Sequence, residues 1–203
     1  MTKIKICGLS RPCDIEAVNG LAVDYIGFVF AQKSRRFVDA RQAARLKKLL
    51  RPDIEAVGVF VNEKCETIAQ LFNEGVIEIA QLHGSEDERY IEQLREMTDK
   101  PIIKAFRIDA KCDIIEAQNS SADFVLLDSG SGGTGTAFDW KLIRGINRPY
   151  FLAGGLDISN INEAVDNLTP YAVDVSSGVE TGGCKDKMKM AAFVSAVRKE
   201  DGK

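Results

Sequence analysis

Apolar and polar positions follow two alternating patterns along the chain. Short runs rich in β-branched residues are typical of buried strands, and longer segments with apolar residues every three or four positions are typical of amphipathic helices. The predicted strands are Ile4–Cys7, Tyr25–Phe30, Ala56–Val61, Ile77–Leu82, Ile102–Phe106, Phe124–Asp128, Tyr150–Ala153 and Ala172–Ser176. The predicted helices are Asp14–Asn19, Ala40–Leu50, Lys64–Asn73, Asp87–Met97, Cys112–Gln118, Trp140–Gly145, Ile161–Asn167 and Lys187–Arg198. Each strand is followed by one helix, in units of about 25 residues.

Strict alternation of strand and helix predicts parallel strands with the helices outside the sheet. Eight such units close most economically into a (β/α)8 TIM barrel. The alternative is an open, doubly wound sheet, which normally has a G-x-G-x-x-G turn after its first strand. The turn here is Cys7-Gly8-Leu9-Ser10, and no linker or shift in composition divides the chain. We therefore predict an α/β fold, a single-domain, parallel eight-stranded (β/α)8 barrel over residues 1–203.

Composition and charge exclude several classes of protein. The chain has 203 residues, of which 45% are hydrophobic and 28% are charged, an ordinary balance for a soluble globular protein. Its net charge of −3 provides no basic excess for nucleic acid or an anionic membrane surface. No apolar run approaches the roughly 20 residues of a transmembrane helix, and no long apolar region follows the first lysines as in a signal peptide. We expect neither nucleic acid nor membrane as a partner.

The supply of cysteine and histidine argues against disulfide and metal sites. The five cysteines are widely spaced without a Cys-x-x-Cys pair, and His83 is the only histidine. A disulfide framework normally uses an even number of cysteines, and most zinc sites need several Cys or His residues close together. We therefore predict a cytoplasmic protein without a metal site.

Two turns rich in glycine and serine follow the last two predicted strands. They are Ala153-Gly154-Gly155-Leu156 and Val175-Ser176-Ser177-Gly178. Glycine lets backbone N–H groups approach an anion closely, serine hydroxyls add donors, and TIM barrels often bind phosphate in these two loops. Such sequences also form ordinary tight turns, but their place in the barrel favours a phosphate site.

Two reactive side chains end predicted strands on different sides of the barrel. Cys7 ends the first strand and can act as a base or nucleophile if nearby positive charge lowers the pKa of its thiol, although a lone cysteine is more commonly buried and inert. Asp128 ends the sixth strand, where a carboxylate either caps the following turn or acts as an acid. An acid and a base at one barrel mouth are the minimum needed to move protons on a sugar phosphate.

Three further features lie at the same predicted rim. His83 either donates a hydrogen bond at the site or stabilises the turn before Gly84. Arg36 either binds a carboxylate through two parallel N–H groups or is simply solvated. The segment 130–136 contains four glycines soon after Asp128, which indicates either a lid that orders over a ligand or a long connection.

Several motifs together resemble those of one enzyme family. They are Lys5-Ile6-Cys7-Gly8-Leu9, Gly27-Phe28-Val29-Phe30, Lys33-Ser34-Arg35-Arg36, Val57-Gly58-Val59-Phe60-Val61, Gln81-Leu82-His83-Gly84, Leu127-Asp128, Ala153-Gly154-Gly155-Leu156 and Asp174-Val175-Ser176-Ser177-Gly178-Val179-Glu180. In this order and spacing the chain resembles the phosphoribosylanthranilate isomerases, from residue 3 to about residue 190. The first and the last of these motifs are the most specific.

The resemblance implies an isomerase of tryptophan biosynthesis. Its reaction converts N-(5-phosphoribosyl)anthranilate to 1-(2-carboxyphenylamino)-1-deoxyribulose 5-phosphate, an Amadori rearrangement that uses no cofactor. Carried over to this chain, Asp128 is the general acid that protonates the ribose ring oxygen, and Cys7 is the general base that removes the proton from C2′. The implied partner is a small phosphosugar substrate, and we expect the chain to act as a monomer or a homodimer.

The resemblance also implies which residues bind the substrate. Arg36 matches the arginine that holds the anthranilate carboxylate. His83 and Asp174 match positions that line the site, and neither is assigned a catalytic role. The residues that match the phosphate loops are Gly154, Gly155, Ser177 and Gly178.

Other functions use a similar barrel and need different residues. A Schiff-base lyase needs a strand lysine, for which Lys104 is the candidate. A metal-dependent epimerase needs more histidine ligands than His83 alone can supply. A phosphate-binding sensor would bind its ligand without turnover. An isomerase that also accepts the related aminoaldose of histidine biosynthesis would show a second phosphate cradle, which neither Asn62-Glu63-Lys64 nor His83-Gly84-Ser85 resembles, so we predict a single substrate.

Overall fold

The barrel predicted from the alternation of strands and helices is confirmed. The computed structural model describes residues 1–128, 140–143 and 145–200. Eight strands form a closed barrel in chain order, and all neighbouring pairs are parallel. They are β1 (Lys3–Cys7), β2 (Tyr25–Val29), β3 (Glu55–Phe60), β4 (Ile79–Leu82), β5 (Ile102–Arg107), β6 (Phe124–Asp128), β7 (Tyr150–Leu152) and β8 (Ala172–Val175).

Seven α-helices occur in the described part of the chain. They are α1 (Pro12–Asn19), α2 (Ala40–Lys47), α3 (Cys65–Asn73), α4 (Glu88–Arg95), α5 (Lys111–Asn119), α6 (Ile161–Leu168) and α7 (Lys187–Glu200). The carboxylates of Asp39 and Asp87 accept hydrogen bonds from backbone N–H groups in the first turns of α2 and α4, which fixes where these helices begin. Within the described residues, no helix combines the length and the apolar character that crossing a bilayer requires.

The helix predicted over Trp140–Gly145 is wrong in both type and extent. A 3-10 helix occupies only Trp140–Ile143. Gly145 has a φ of +108°, which lies outside the right-handed helical region, so no helix can continue through it. The glycine-rich segment 130–136, predicted to be a lid or a connection, lies outside the described residues.

A small antiparallel hairpin, absent from the predicted elements, lies between β8 and α7. Its strands are β9 (Glu180–Thr181) and β10 (Cys184–Lys185), and Glu180 pairs with Lys185 across them. The two residues of the turn, Gly182 and Gly183, have φ values of +59° and +81°. Positive φ at both turn positions favours glycine and suits a two-residue hairpin, so the Gly-Gly pair explains why the chain reverses here.

Inward-facing side chains fill the barrel. Alternate residues of each strand point inside, and the others pack against the helices. The main interior cluster comprises Tyr25, Val57, Ile79, Ile103, Leu126, Phe151, Ala153 and Ala172. A smaller cluster of Cys7, Val29 and Val59 lies at the C-terminal ends of β1 to β3. Inward-facing residues at the strand ends therefore border the mouth of the barrel.

Candidate active site

A cavity of about 300 Å³ opens at the C-terminal mouth of the barrel. TIM barrels carry their chemistry at this end, because the loops that follow the strands converge there. Eight of the nine predicted site residues line the cavity: Cys7, Arg36, His83, Asp128, Gly154, Gly155, Asp174 and Ser177. The ninth, Gly178, is absent from its lining.

Cys7 and Asp128 reach this cavity from different sides of the mouth. Cys7 is the last residue of β1 and is buried, whereas Asp128 is the last residue of β6 and is partly exposed. Gly27 of β2 leaves the space that the thiol occupies, since a Cβ on Gly27 would lie 2.6 Å from the Cys7 Sγ. The cavity thus has a thiol and a carboxyl group on its walls, as an acid–base pair requires.

The Cys7 thiol has charged neighbours that act in opposite directions. Burial raises the pKa of Cys7, the positive charges of Lys5 and Lys185 lower it, and the carboxylate of Asp174 raises it. The net result is a pKa above the ordinary thiol value. The positive charge that would lower the thiol pKa is therefore present, but burial is the larger effect.

A fully buried ion pair lies beneath the cavity. The Lys5 Nζ is 2.8 Å from the Asp174 Oδ2, and strand register brings the pair together because Lys5 of β1 is directly opposite Asp174 of β8. Burial lowers the pKa of Lys5, but the negative charges of Asp174 and Cys7 outweigh it and the net pKa is raised. The other Asp174 oxygen, Oδ1, is buried without a hydrogen-bond partner among the described residues.

His83 links two other side chains of the cavity wall. The Gln81 Nε2 lies 2.8 Å from the His83 Nδ1. Because an amide nitrogen can only donate, the His83 Nδ1 accepts and the proton of a neutral imidazole is on Nε2. That Nε2 is 3.5 Å from the Asp128 Oδ2, which is too long for a good hydrogen bond but close enough to orient the carboxyl group electrostatically.

Arg36 lines the cavity and is held by a carboxylate of the hairpin. The Arg36 Nε and Nη2 donate to the two carboxylate oxygens of Glu180 at 2.6 and 3.0 Å. The buried Lys185 Nζ donates to the Glu180 Oε1 at 2.6 Å. Burial raises the pKa of Glu180, but the hydrogen bonds from Arg36 and Lys185 outweigh it and lower the net pKa, so Glu180 is an anion.

The two turns predicted to bind phosphate adjoin the cavity. Gly154 and Gly155 have φ values of +84° and +65°, a conformation that favours glycine. The Lys185 Nζ donates to the backbone oxygen of Ser176 at 2.8 Å and so fixes the second turn. Gly178 lies against the first turn, since a Cβ there would overlap the backbone oxygen of Leu156. It lets the turns after β7 and β8 pack against each other.

A sequence model of the N-(5'-phosphoribosyl)anthranilate (PRA) isomerase family matches residues 4–196 of the chain. The chain belongs to the PRA isomerase family. Among the relatives are two proteins named N-(5'-phosphoribosyl)anthranilate isomerase. The one from Endomicrobium trichonymphae is 48% identical over 98% of this chain and 99% of its own length. The one from Caldanaerobacter subterraneus subsp. tengcongensis is 44% identical over 98% of both chains.

Solved structures of PRA isomerases are similar along nearly the whole chain. The enzyme from Thermotoga maritima has a TM-score of 0.90 and 35% identity, covering 98% of this chain and 100% of that one. A PRA isomerase in complex with reduced 1-(o-carboxyphenylamino)-1-deoxyribulose 5-phosphate has a TM-score of 0.87 and 34% identity, with the same coverage. The chain is thus an enzyme of the isomerase class.

Lys104, the candidate lysine for a Schiff-base lyase, does not line the cavity. Lys104 follows Ile103, which points into the barrel, so its own side chain points outward. The Lys104 Nζ donates to the backbone oxygen of Gly84 at 2.7 Å and to the Glu86 Oε2 at 3.2 Å. A lysine held in this way supports the β4–α4 loop and cannot attack a carbonyl group in the cavity.

Three charged residues of the site are absent from the residues predicted from sequence: Lys5, Glu180 and Lys185. Lys5 could have been found, because it lies two positions before Cys7 in an apolar strand and so shares its inward face. Glu180 ends the motif that begins at Asp174, but no pattern in the sequence pairs it with Arg36. Lys185 is on a two-residue strand, which is too short to produce a periodic pattern.

Proposed function

We propose that this chain catalyses the isomerisation of N-(5-phosphoribosyl)anthranilate to 1-(2-carboxyphenylamino)-1-deoxyribulose 5-phosphate in tryptophan biosynthesis. The observation that carries the proposal is one cavity with Cys7 and Asp128 on its walls and two glycine- and serine-rich turns at its edge. Membership of the PRA isomerase family supports it. So does the solved relative with a reduced form of the product bound.

In the first step, Asp128 protonates the ring oxygen of the ribose. The bond between C1′ and that oxygen breaks, and the nitrogen lone pair forms a C1′=N iminium. Asp128 becomes a carboxylate, whose negative charge is then close to the cationic iminium. His83 faces Asp128 at 3.5 Å and orients the carboxyl group for this transfer.

In the second step, the Cys7 thiolate removes the proton from C2′. The electrons of the C–H bond form a C1′=C2′ double bond, and the iminium electrons return to nitrogen, which gives an enolamine. Tautomerisation moves the hydroxyl proton from the oxygen on C2′ to C1′ and yields the ketone. The iminium makes the C2′ proton acidic, so the protein needs only a correctly placed base.

The reactive form of the site has an ionised Cys7 and a protonated Asp128. It contains the same number of protons as the form with a neutral thiol and a carboxylate, so a proton shift between the two groups generates it. Lys5 and Lys185 stabilise the thiolate by their positive charge, against the effect of burial. The raised thiol pKa makes Cys7 a stronger base once it is ionised.

The two anionic ends of the substrate fit different parts of the cavity wall. The backbone N–H groups and hydroxyls of the Gly154-Gly155 and Ser176-Ser177 turns suit the phosphate. The guanidinium of Arg36 suits the anthranilate carboxylate. Binding at both ends would place the ribose between Cys7 and Asp128.

A single substrate is part of the proposal. A second phosphate would need free backbone N–H groups after β3 and β4, but those of Asn62 and Gly84 already donate to Glu86 at 2.7 and 2.8 Å. We expect turnover of the histidine-pathway aminoaldose to be at least about a hundredfold slower than turnover of phosphoribosylanthranilate.

The experiment that tests the reaction uses phosphoribosylanthranilate generated in situ. Fluorescence of the anthranilate group should fall on addition of the purified protein, and borohydride should trap the ketone as the reduced product, identified by mass. Binding of the reduced product without turnover would instead support the sensor. A covalent substrate adduct on Lys104 after borohydride treatment would support the lyase.

A further inference from the structure

The Glu180 carboxylate lies at the centre of a cluster of three cationic side chains beside the cavity. Arg36 donates to both of its oxygens, Lys185 donates to Oε1 at 2.6 Å, and the Arg35 Nη2 donates to Oε2 at 2.9 Å. The Glu180 side chain is only 5% exposed and that of Lys185 only 1%. None of the chemical steps above uses Glu180, so its burial among three cations needs another explanation.

Glu180 binds the side edge of the Arg36 guanidinium. It uses the N–H of Nε and one N–H of Nη2, at 2.6 and 3.0 Å. A guanidinium has five N–H donors, so the end edge, formed by Nη1 and the second N–H of Nη2, can still receive a carboxylate in bidentate geometry. The stem of Arg36 lies against Gly8, where a Cβ would overlap the Arg36 Cδ. Arg36 is therefore fixed both along its stem and at its side edge.

The same carboxylate connects Arg36 with the second turn of the phosphate site. Lys185 bridges Glu180 to the backbone oxygen of Ser176 at 2.8 Å and to its Oγ at 3.3 Å. The Ser176 Oγ in turn donates to the backbone oxygen of Cys7 at 3.0 Å. One continuous set of hydrogen bonds thus connects the arginine, the phosphate turn and the end of β1.

The net charge of the cluster shows whether Glu180 orients Arg36 or competes with the substrate carboxylate for it. A carboxylate beside Arg36 would oppose a substrate carboxylate if the two charges were balanced. Here one negative charge faces the positive charges of Arg35, Arg36 and Lys185, so a surplus of positive charge remains for an anionic substrate. Glu180 can therefore orient Arg36 without removing the attraction for the substrate.

We propose that Glu180 is a positioning residue that holds Arg36 in the orientation that receives the aryl carboxylate of the substrate. Through Lys185 it keeps that arginine at a fixed place relative to the phosphate turn. The spacing of the two anion-binding groups is thereby fixed for a substrate that is anionic at both ends. The proposal rests on the function proposed above, since it assumes a substrate with an aryl carboxylate.

The test replaces the charge of Glu180 and keeps its shape. In Glu180→Gln, the amide nitrogen faces the Arg36 donors, so the arginine loses its fixed orientation. We expect KM for phosphoribosylanthranilate to rise about tenfold or more while kcat changes by less than about threefold, because the lost contact is not with the reacting atoms. Asp53→Asn is the matched control, since it breaks an exposed ion pair with Arg51 and should leave both constants unchanged.

A double-mutant cycle separates positioning from a purely structural role. The affinity for the reduced product should fall about tenfold on Glu180→Gln in the native background, but by less than about twofold in the Arg36→Met background. The affinity for ribose 5-phosphate, which lacks the aryl carboxylate, should change by less than about threefold in both. Equal losses in both backgrounds, or equal losses for both ligands, would overturn the proposal.

Two other results are interpretable: a Glu180→Gln variant that does not fold, and a native protein without turnover. If Glu180→Gln does not fold, as shown by circular dichroism, Glu180→Asp replaces it, because the shorter carboxylate keeps the charge but cannot reach Arg36 and Lys185 together. A rise in KM, with kcat retained, then supports the proposal, and an unchanged KM overturns it. An absence of turnover by the native protein, with the binding differences intact, would contradict the proposed function and leave the role of Glu180 in binding supported.

Discussion

Lys5 is the residue on which the charge balance inside the barrel depends. Its ammonium group is fully buried, pairs with Asp174 at 2.8 Å and lies close enough to Cys7 to lower the pKa of that thiol. A buried lysine of this kind serves two purposes: it neutralises Asp174 and stabilises negative charge on Cys7 during the reaction.

The first prediction concerns the stability that Lys5 provides. Lys5→Met should lower the free energy of unfolding by about 3–5 kcal/mol, because it leaves the Asp174 carboxylate buried without its cation. Urea denaturation at neutral pH measures this. Lys3→Met is the matched control on the same strand, and it should lose about 1 kcal/mol or less, since the ion pair of Lys3 with Asp24 is partly exposed. Similar losses in the two variants would contradict the account.

The second prediction concerns the protonation of Cys7 without added ligand. Because burial raises the pKa of this thiol, its midpoint should lie above the ordinary thiol value of 9.0. The pH dependence of alkylation by iodoacetamide, followed by mass at Cys7, measures it, with free N-acetylcysteine in the same solution as reference. Half-maximal alkylation of Cys7 below the midpoint of N-acetylcysteine would contradict the direction of the shift.

At the scale of residues, chemistry at strand ends could be predicted, but the charged partners from other parts of the chain could not. Cys7 and Asp128 are conspicuous because reactive groups end otherwise apolar strands. The ionisation of Cys7 also depends on Asp174 and Lys185, which are distant from it in sequence and come close only through strand register and the hairpin. The direction of a pKa shift depends on such three-dimensional neighbours and on burial, so it does not follow from the sequence alone.

At the scale of elements, the turns after β7 and β8 act as one unit. Gly178 belongs to the second turn and lies directly against the backbone of Leu156 in the first. The space that any side chain would need at position 178 is taken by main-chain atoms, which cannot move aside without changing the first turn. The shape of the proposed phosphate site thus depends on a glycine that is absent from the cavity lining.

The third prediction follows from that packing. Gly178→Ala should lower the free energy of unfolding by about 1–3 kcal/mol and raise KM, because the turns are pushed apart. Gly20→Ala is the matched control, since a Cβ there would have its nearest contact at 3.5 Å and the backbone φ is −86°. The control should change stability by less than about 0.5 kcal/mol. An unchanged KM for Gly178→Ala would show that the contact between the turns is unimportant for phosphate.

The predicted elements agree with the structure where the pattern of apolar residues is long and regular. They are wrong or missing where the segments are short. All eight barrel strands were located within a few residues, since a strand buried on both faces is a nearly continuous apolar run. The segment from Trp140 was assigned a full helix, but Gly145 ends it within one turn. The hairpin of two-residue strands has no period to detect, although its Gly-Gly turn was visible in the sequence.

At the scale of the whole molecule, Asp24 joins the beginning of the chain to its end. Its carboxylate accepts hydrogen bonds from the Lys3 Nζ at 2.6 Å, the Ile4 backbone N–H at 2.9 Å and the Arg198 Nη2 at 2.9 Å. These groups belong to β1 and α7, so the contact holds the last helix over the seam where the barrel closes between β8 and β1.

The fourth prediction concerns acid stability. Burial raises the pKa of Asp24, but the contacts with Lys3, Ile4 and Arg198 outweigh it and hold the net pKa below the ordinary value of 3.8. The stability that these contacts provide is therefore fully present above the unfolded-state value and is lost as the pH falls through the folded-state value. Asp24→Asn should lose about 2 kcal/mol at pH 7.

The pH dependence of the unfolding free energy tests whether Asp24 is the group responsible. The difference in unfolding free energy between the native chain and Asp24→Asn should be constant from about pH 7 to about pH 5 and shrink below about pH 4. Urea denaturation across this range measures it. A difference that shrinks at neutral pH, or that persists undiminished at pH 2, would show that another group is responsible.

The central claim is that Cys7 and Asp128 form the acid–base pair of a PRA isomerase. Its most direct test is the rate of anthranilate fluorescence loss with phosphoribosylanthranilate generated in situ, for the native chain, Cys7→Ala, Asp128→Asn and the control Cys112→Ala. We expect rapid turnover by the native chain and the control, and a loss of about a hundredfold or more in each of the other two variants. Turnover that survives Cys7→Ala or Asp128→Asn within about threefold would contradict the assigned role of that residue.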